Sequence, residues 1–247
     1  DGVPDIISVT TPVGSRAGMI HSLSRAGVKT ILSELPLAKD VAAARKAAGE
    51  CEKSGTLLLA NHLRRCNPLI RKVREQIRSG TIGAIVQVGF LYTGGLRFWG
   101  SHGLDIIVHL VGVPCRVRAV KSHTDSGYVG DPNVDGWLEF RNGVKAALLT
   151  THFRDHRAFE IDLIGRRGRI RLTDLGFRAE FYSLGQSKRF SQPELELKTT
   201  EVSTESTFLP VIDHVVKCLD GTERPLLGAS EALRVSEIIR AMERSMN

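Results

Sequence analysis

The spacing of apolar residues changes repeatedly along this chain, and each change marks a boundary between elements. Ile6, Ile7 and Val9 form a short β-branched run that Thr10-Thr11-Pro12 interrupts, the pattern of a strand entering a turn. Over residues 15–26 the apolar positions Met19, Ile20, Leu23 and Ala26 recur at helical spacing, and Gly27 stands where a left-handed C-terminal cap belongs. Residues 28–34 read as a second strand. A single crossover helix returns the chain to the same end of a sheet, so the two strands run parallel. Their C-terminal ends then share one rim, carrying Thr10-Thr11-Pro12 and Ser33-Glu34-Leu35-Pro36. In open parallel sheets ligands bind along that rim.

Asp40 is placed to cap a second helix with Val41, Ala44, Ala48 and Cys51 on one face and Gly55 at its end, and residues 56–60 form a third apolar strand. Continuous apolar character in all three strands suits a sheet covered on both faces. Asn67-Pro68 opens a helix carrying Leu69, Ile70, Val73 and Ile77 and closed by Gly80, which puts a domain boundary near residue 66. Residues 84–92 read as a strand, followed by a helix over 102–110 with Ser101 as its cap. Beyond Gly112 the period becomes that of strands, at 115–120, 136–140, 144–153, 159–164, 169–172 and 180–182. Asn142-Gly143 is a type I′ hairpin signal between two of them. Two helices close the chain, one with Val211, Ile212, Val215, Val216 and Leu219, the other with Ala232, Val235, Ile239 and Met242. The expected fold class is therefore α/β, with a parallel unit over residues 1–66 and an α+β domain over 67–247 whose large sheet is mainly antiparallel.

Composition narrows the function classes. Of 247 residues, 42% are hydrophobic and 25% charged, the balance of an ordinary globular protein. No apolar run approaches the ~18 residues of a membrane helix, and the N-terminus has neither the basic nor the apolar segment of a signal peptide, so a cytoplasmic protein with no membrane partner is expected. Cys51, Cys66, Cys115 and Cys218 form no CxxC pair, which argues for reduced thiols rather than a zinc knuckle or a disulfide framework. The net charge of +7 is spread over residues such as Arg71, Lys72, Arg74 and Arg78, and the densest cluster, Arg166-Arg167 with Arg169, has no interleaved aromatics. Nucleic acid is therefore not an expected partner. A complete dinucleotide-binding fold needs a GxGxxG turn and an acidic residue about twenty positions later. No GxG occurs in this chain, which starts almost directly on a strand at Asp1, so that half is expected upstream or on another chain.

Several short motifs occur in order. They are the strand 5–12, Asp-Ile-Ile-Ser-Val-Thr-Thr-Pro, then Ser33-Glu34-Leu35-Pro36, the 61–68 segment NHLRRCNP, the helix start Gly100-Ser101-His102 with Asp105, and the hairpin 161–170. Together they resemble the glucose-fructose oxidoreductase, inositol dehydrogenase and MocA (Gfo/Idh/MocA) family. The resemblance implies that residues 1–66 are the C-terminal half of a Rossmann-like NAD(P)-binding domain and 67–247 a substrate and oligomerisation domain. It implies NAD or NADP as cofactor, a sugar, inositol or related polyol as substrate, and a homo-oligomer formed through the C-terminal sheet.

Residue by residue, the resemblance places Thr11, Pro12, Glu34 and Arg64 at the cofactor. It makes His102 the catalytic proton acceptor and Asp105 its partner or a contact to substrate hydroxyls. Without the resemblance, a plain turn at a strand end is the better account of Thr11, Pro12 and Glu34, and a carboxylate favoured near a helix N-terminus accounts equally for Asp105. Leu35 stands where the family's catalytic lysine stands, and Phe98 where many relatives carry Asp or Asn; Phe98 and Trp99 can form an apolar wall or a stacking platform. His102, Asp105 and His109 share a helical face, but no metal site is expected. The rival reading, favoured by Leu35 and Phe98, is a non-catalytic member that binds a sugar-like ligand or a protein partner.

Overall fold

The computed structural model describes residues 2–203 and 208–246, and the chain forms two compact units, Asp1–Cys66 with Glu205–Arg240 and Asn67–Thr204 with Ala241–Asn247. In the first unit, β1 (Ile6–Val9), α1 (Val13–Arg25), β2 (Thr30–Ser33), α2 (Val41–Ser54) and β3 (Leu57–Ala60) alternate along the chain. The strands pair in parallel in the order β1-β2-β3, with Ile31 opposite both Ile7 and Leu58. Local chemistry sets the helix ends. The Asp40 carboxylate accepts the Ala43 N–H at 2.8 Å at the start of α2, and Gly27 and Gly55 stop α1 and α2 with φ of 86° and 72°, a conformation that costs glycine little.

The strands are continuously apolar because both faces of this sheet are covered. Val9, Ile31, Leu58 and Ala60 pack with Ile20 of α1 and Ala44, Ala47 and Cys51 of α2. Leu32 and Leu59, pointing the other way along the pleat, pack with Val211, Val215 and Cys218 of α5 (Leu209–Leu219). The expectation that residues 67–247 hold together as one domain is therefore corrected. The chain returns at α5, and Ala232 of α6 (Ala229–Ser245) joins the α1–α2 side. Leu59 also bridges Gly228, and Ala60 N–H donates to the Leu227 carbonyl at 2.7 Å, which covers the β3 edge. His214 of α5, fully buried, lies 3.1 Å from Glu223 through Nδ1. Its Nε2 accepts the Leu226 N–H at 3.0 Å, holding the connection to α6.

The second unit begins with α3 (Pro68–Arg78), whose cap is the Asn67 side chain accepting the Leu69 N–H at 2.8 Å. Next come β4 (Ile85–Tyr92), α4 (Ser101–Val111) and seven further strands: β5 (Arg116–Lys121), β6 (Val134–Glu139), β7 (Lys145–Thr150), β8 (Phe159–Gly165), β9 (Gly168–Thr173), β10 (Arg178–Gly185) and β11 (Glu194–Val202). They form one eight-stranded sheet in the order β11-β10-β9-β8-β4-β7-β6-β5. Its pairs are antiparallel apart from β4 with β7. One face is dry: Val88, Phe90, Leu138, Ala146, Leu148, Ile161, Leu163, Ile170 and Leu172 are buried.

Three local expectations change. Asn142-Gly143 does not form a type I′ turn: Gly143 N–H bonds to the Phe140 carbonyl at 3.0 Å, and of the central residues only Gly143, at φ 85°, is left-handed. This is a turn followed by a glycine bulge. Strand β10 extends beyond 180–182, and β11, not among the strands expected from the sequence, follows it; its short alternation Glu194-Leu195-Glu196-Leu197 lies in a strand almost all of whose residues are exposed. Ser101 is the first residue of α4 rather than its cap, because a π-helical turn, Gly95–Gly100, runs directly into the helix. Among the described residues no helix is long and apolar enough to cross a membrane.

Gly103, within α4, faces the ring of Phe90, and a Cβ there would lie 1.9 Å from that ring. Phe90 cannot yield, since it stacks on Tyr92 at 4.8 Å and meets Phe159 edge-on at 5.3 Å. Gly103→Ala is expected to lose about 3 kcal/mol to overpacking, outweighing the roughly 1 kcal/mol of helix propensity that alanine gains. Urea denaturation checks this, and an unchanged or raised midpoint would refute it.

Candidate functional site

In the first unit the backbone ladder continues past the strands. Glu34 N–H donates to the Val9 carbonyl at 2.9 Å and Asn61 N–H to the Ser33 carbonyl at 2.8 Å, so the residues leaving all three strands lie side by side. Glu34 is held at both carboxylate oxygens: Oε1 accepts from Asn61 Nδ2 at 2.7 Å and Oε2 from the Leu35 N–H at 3.3 Å. The Leu35–Pro36 peptide is cis. Arg16, in the first turns of α1, reaches across to the same rim. Its Nη2 donates to the Thr11 carbonyl at 2.6 Å and Nη1 to the Pro36 carbonyl at 2.5 Å. Burial pulls the guanidinium below its ordinary pKa, while the Glu34 charge pushes it back up.

The structure thus brings Thr11, Pro12 and Glu34 to one rim and adds Arg16 and Asn61, which sequence reasoning did not single out for the site. A basic residue within an amphipathic helix reads as solvated, and only the fold buries it. Arg64, half-buried, sits on the 3₁₀ turn Leu63–Cys66 that leaves β3.

His102 and Asp105 belong to the second unit, on α4. His102 is half-buried, whereas Asp105 is 1% exposed and lies beyond the helix's first turn. The macrodipole account of Asp105 therefore loses its basis, and contact with a substrate hydroxyl is a poor match to that burial. The approach to α4 is built with care. Gly94 and Gly95 have φ of 88° and 84°, and a Cβ on Gly95 would lie 2.3 Å from the Asp131 carboxylate. That carboxylate accepts the Arg97 N–H at 2.8 Å and the Phe98 N–H at 2.9 Å. Burial raises the Asp131 pKa while these two bonds lower it. Buried Asn133 accepts the Gly95 N–H at 3.0 Å and donates to Thr124, Asp125 and Thr151.

Phe98 is 48% exposed. It packs against Tyr128 at 4.9 Å and Trp99 at 5.7 Å, and Arg157 lies 5.9 Å from the Trp99 ring. These aromatics form a cluster at the turn that leads into α4. His102, Asp105 and His109 do not gather: among the described residues no group of three or more His, Cys, Asp or Glu side chains is placed to hold a metal ion.

Residues 89–247 match the sequence profile of the Gfo/Idh/MocA oxidoreductase family, C-terminal alpha/beta domain. The chain belongs to this family. No curated protein matches it by sequence, but solved structures do so by fold. The WlbA dehydrogenase from Bordetella pertussis, in complex with NADH and UDP-GlcNAcA, is 20% identical with a TM-score of 0.77 over 98% of this chain and 76% of that one. The aldose-aldose oxidoreductase from Caulobacter crescentus, complexed with glycerol, is 19% identical with a TM-score of 0.82 over 98% and 77%. An NAD binding oxidoreductase from Klebsiella pneumoniae is 15% identical with a TM-score of 0.84 over 98% and 78%.

For a Gfo/Idh/MocA chain the rim passes a test of fit to a nicotinamide cofactor. The buried atoms Thr11 Oγ1, Arg16 Nε and Asn61 Oδ1 have no hydrogen-bond partner. Buried polar atoms are otherwise almost always paired, so this rim offers donors and an acceptor that a ribose or a carboxamide can satisfy. Leu35, half-buried against the α1–α2 core, offers neither.

Proposed function

We propose that this protein is an NAD(P)-dependent oxidoreductase that transfers a hydride between a nicotinamide cofactor and a carbinol carbon of a sugar, inositol or related polyol. The observation that carries the reading is the laced rim: Glu34 fixed by Asn61 and by the Leu35 N–H, beside buried, unpaired polar atoms of Thr11, Arg16 and Asn61. The solved neighbours' NADH, UDP-GlcNAcA and glycerol complexes support the same substrate class. A non-catalytic role finds no support among them.

When bound, the cofactor supplies the hydride acceptor. Thr11, Pro12, Glu34 and Arg64 bind and orient it. His102 takes the hydroxyl proton as general base. Asp105, three residues along the same helical face and buried, is a positioning residue for that helix end. Phe98 and Trp99 present aromatic faces to the C–H face of a sugar ring. With Leu35 at the lysine position, His102 carries proton transfer without a second acid. Four free thiols suit a reducing, cytoplasmic setting.

The test is a fluorescence titration of NADH and NADPH into the polypeptide as its gene encodes it. Saturable binding of one of them, weakened at least tenfold by Glu34→Gln, is expected. Binding of neither cofactor would refute the assignment.

The protein is also proposed to associate with itself through the outward face of the eight-stranded sheet. Val120, Trp137 and Leu149 share that face by strand register and are 63%, 57% and 55% exposed, an apolar patch of the kind that marks interfaces. The paired charges Arg169–Asp162 and Arg171–Glu160 lie on the same face. Trp137→Lys is expected to halve the mass seen by sedimentation, or more; an unchanged mass would move the interface elsewhere.

A further inference from the structure

Arg16 is 6% exposed, and among the described residues no carboxylate forms an ion pair with it. Both acceptors of its guanidinium are carbonyls, Thr11 O at 2.6 Å and Pro36 O at 2.5 Å, and its buried Nε has no partner. Burying a guanidinium costs far more than burying an apolar side chain of similar volume. An arginine used only to fill space would therefore be a poor choice here.

What the fork accomplishes is geometric. One planar group spans the turn after β1 and the turn after β2, the two turns that carry Thr11, Pro12, Glu34 and Pro36. A lysine has three donors but they radiate from one nitrogen on a flexible stem, so it lacks the rigid planar fork that holds two separated carbonyls at a set distance.

We propose that Arg16 is a positioning residue of the cofactor rim: its guanidinium sets the separation of the Thr11 and Pro36 turns. The inference rests on reading that rim as the nicotinamide cofactor's site. The rim then has two hydrogen-bonded links, Thr11–Arg16–Pro36 and Leu35–Glu34–Asn61, joined by the short backbone segment from Glu34 to Pro36. Cofactor binding is supported by backbone turns that are already held at their working separation.

Arg16→Lys and Arg16→Met are compared with wild type in two independent measurements. The first needs no cofactor: hydrogen exchange at the Glu34 and Asn61 amides, which close the ladder beyond β2 and β3, against Ile31 in the middle of β2. Both variants are expected to speed exchange at the rim about tenfold, the loss of one charge-assisted hydrogen bond, with Ile31 unchanged. The second is NADH and NADPH titration, where Arg16→Lys is expected to weaken binding about tenfold and Arg16→Met more. If Arg16→Met fails to fold, Arg16→Lys alone decides.

The effect on cofactor affinity is expected to shrink in a Glu34→Gln background, because residues of one network are not additive; two unrelated structural losses would add. Wild type that binds neither cofactor would refute the functional reading and leave hydrogen exchange to judge the rim. Wild type that binds, with Arg16→Lys equal to it within twofold, would overturn the proposal, as would rim exchange that Arg16→Lys leaves unchanged.

Discussion

Replacing His102 with alanine is expected to lower kcat by about 100- to 10,000-fold, the range forfeited when a positioned general base is removed, while the KM for the polyol changes little. The side chain is half-buried near the start of α4, so its loss leaves no large cavity and the thermal midpoint should hold within a few degrees. Equal falls in kcat and kcat/KM would mark a group that acts only in the transition state. Leu35 cannot deliver a proton or place a charge beside a developing alkoxide, so no second acid shares the load. His109, further along α4 and also half-buried, is the natural control: His109→Ala should leave turnover within severalfold. Turnover of His102→Ala within twofold of wild type would end the assignment of His102 as base.

Leu35→Lys is expected to raise kcat by about 100-fold, the lower end of what general acid–base assistance contributes. Leu35 stands directly after Glu34, and its N–H donates to that carboxylate at 3.3 Å. Its side chain is partly buried against the α1–α2 core. A lysine can lay its stem along that apolar surface and send its ammonium outward, with Glu34 next to it to offset the buried charge of Arg16. The opposing cost is lost apolar burial, on the order of 1 kcal/mol, too small to unfold a protein with ordinary stability. Assays across aldoses, inositols and nucleotide sugars, with kcat read separately from KM, provide the check. A gain confined to affinity, or no gain with any substrate that wild type accepts, would show that the proton does not leave through this position.

Much of the fold was legible because it is written in neighbouring residues. The spacing of Met19, Ile20 and Leu23, the caps at Asp40 and Asn67, and the glycines at 27, 55 and 80 act within a turn or two of helix, and the structure places an element at each. The short motifs were legible for the same reason. The failures share a cause as well. β11 shows a short alternation over 194–198 but has hardly any buried face, so its extent and register come from its partner β10. The site was read less completely. Glu34 and Thr11 were singled out only through the family resemblance, and Arg16 looks like any polar residue of an amphipathic helix until the fold carries the Pro36 carbonyl to it. Asp131, which caps the turn before α4, is far from that turn in sequence.

By itself, then, the sequence determined the run of helices and strands, the parallel sense of the first three strands and the shared rim at their C-terminal ends, since periodicity, capping and crossover connection are local or topological constraints. Only the tertiary structure decided that α5 returns to cover the first sheet, that Asp105 is buried while His102 keeps part of its surface, and that one guanidinium joins two turns of the rim. Those outcomes depend on residues distant in sequence meeting after the hydrophobic faces close, and no local pattern records which partner each will find.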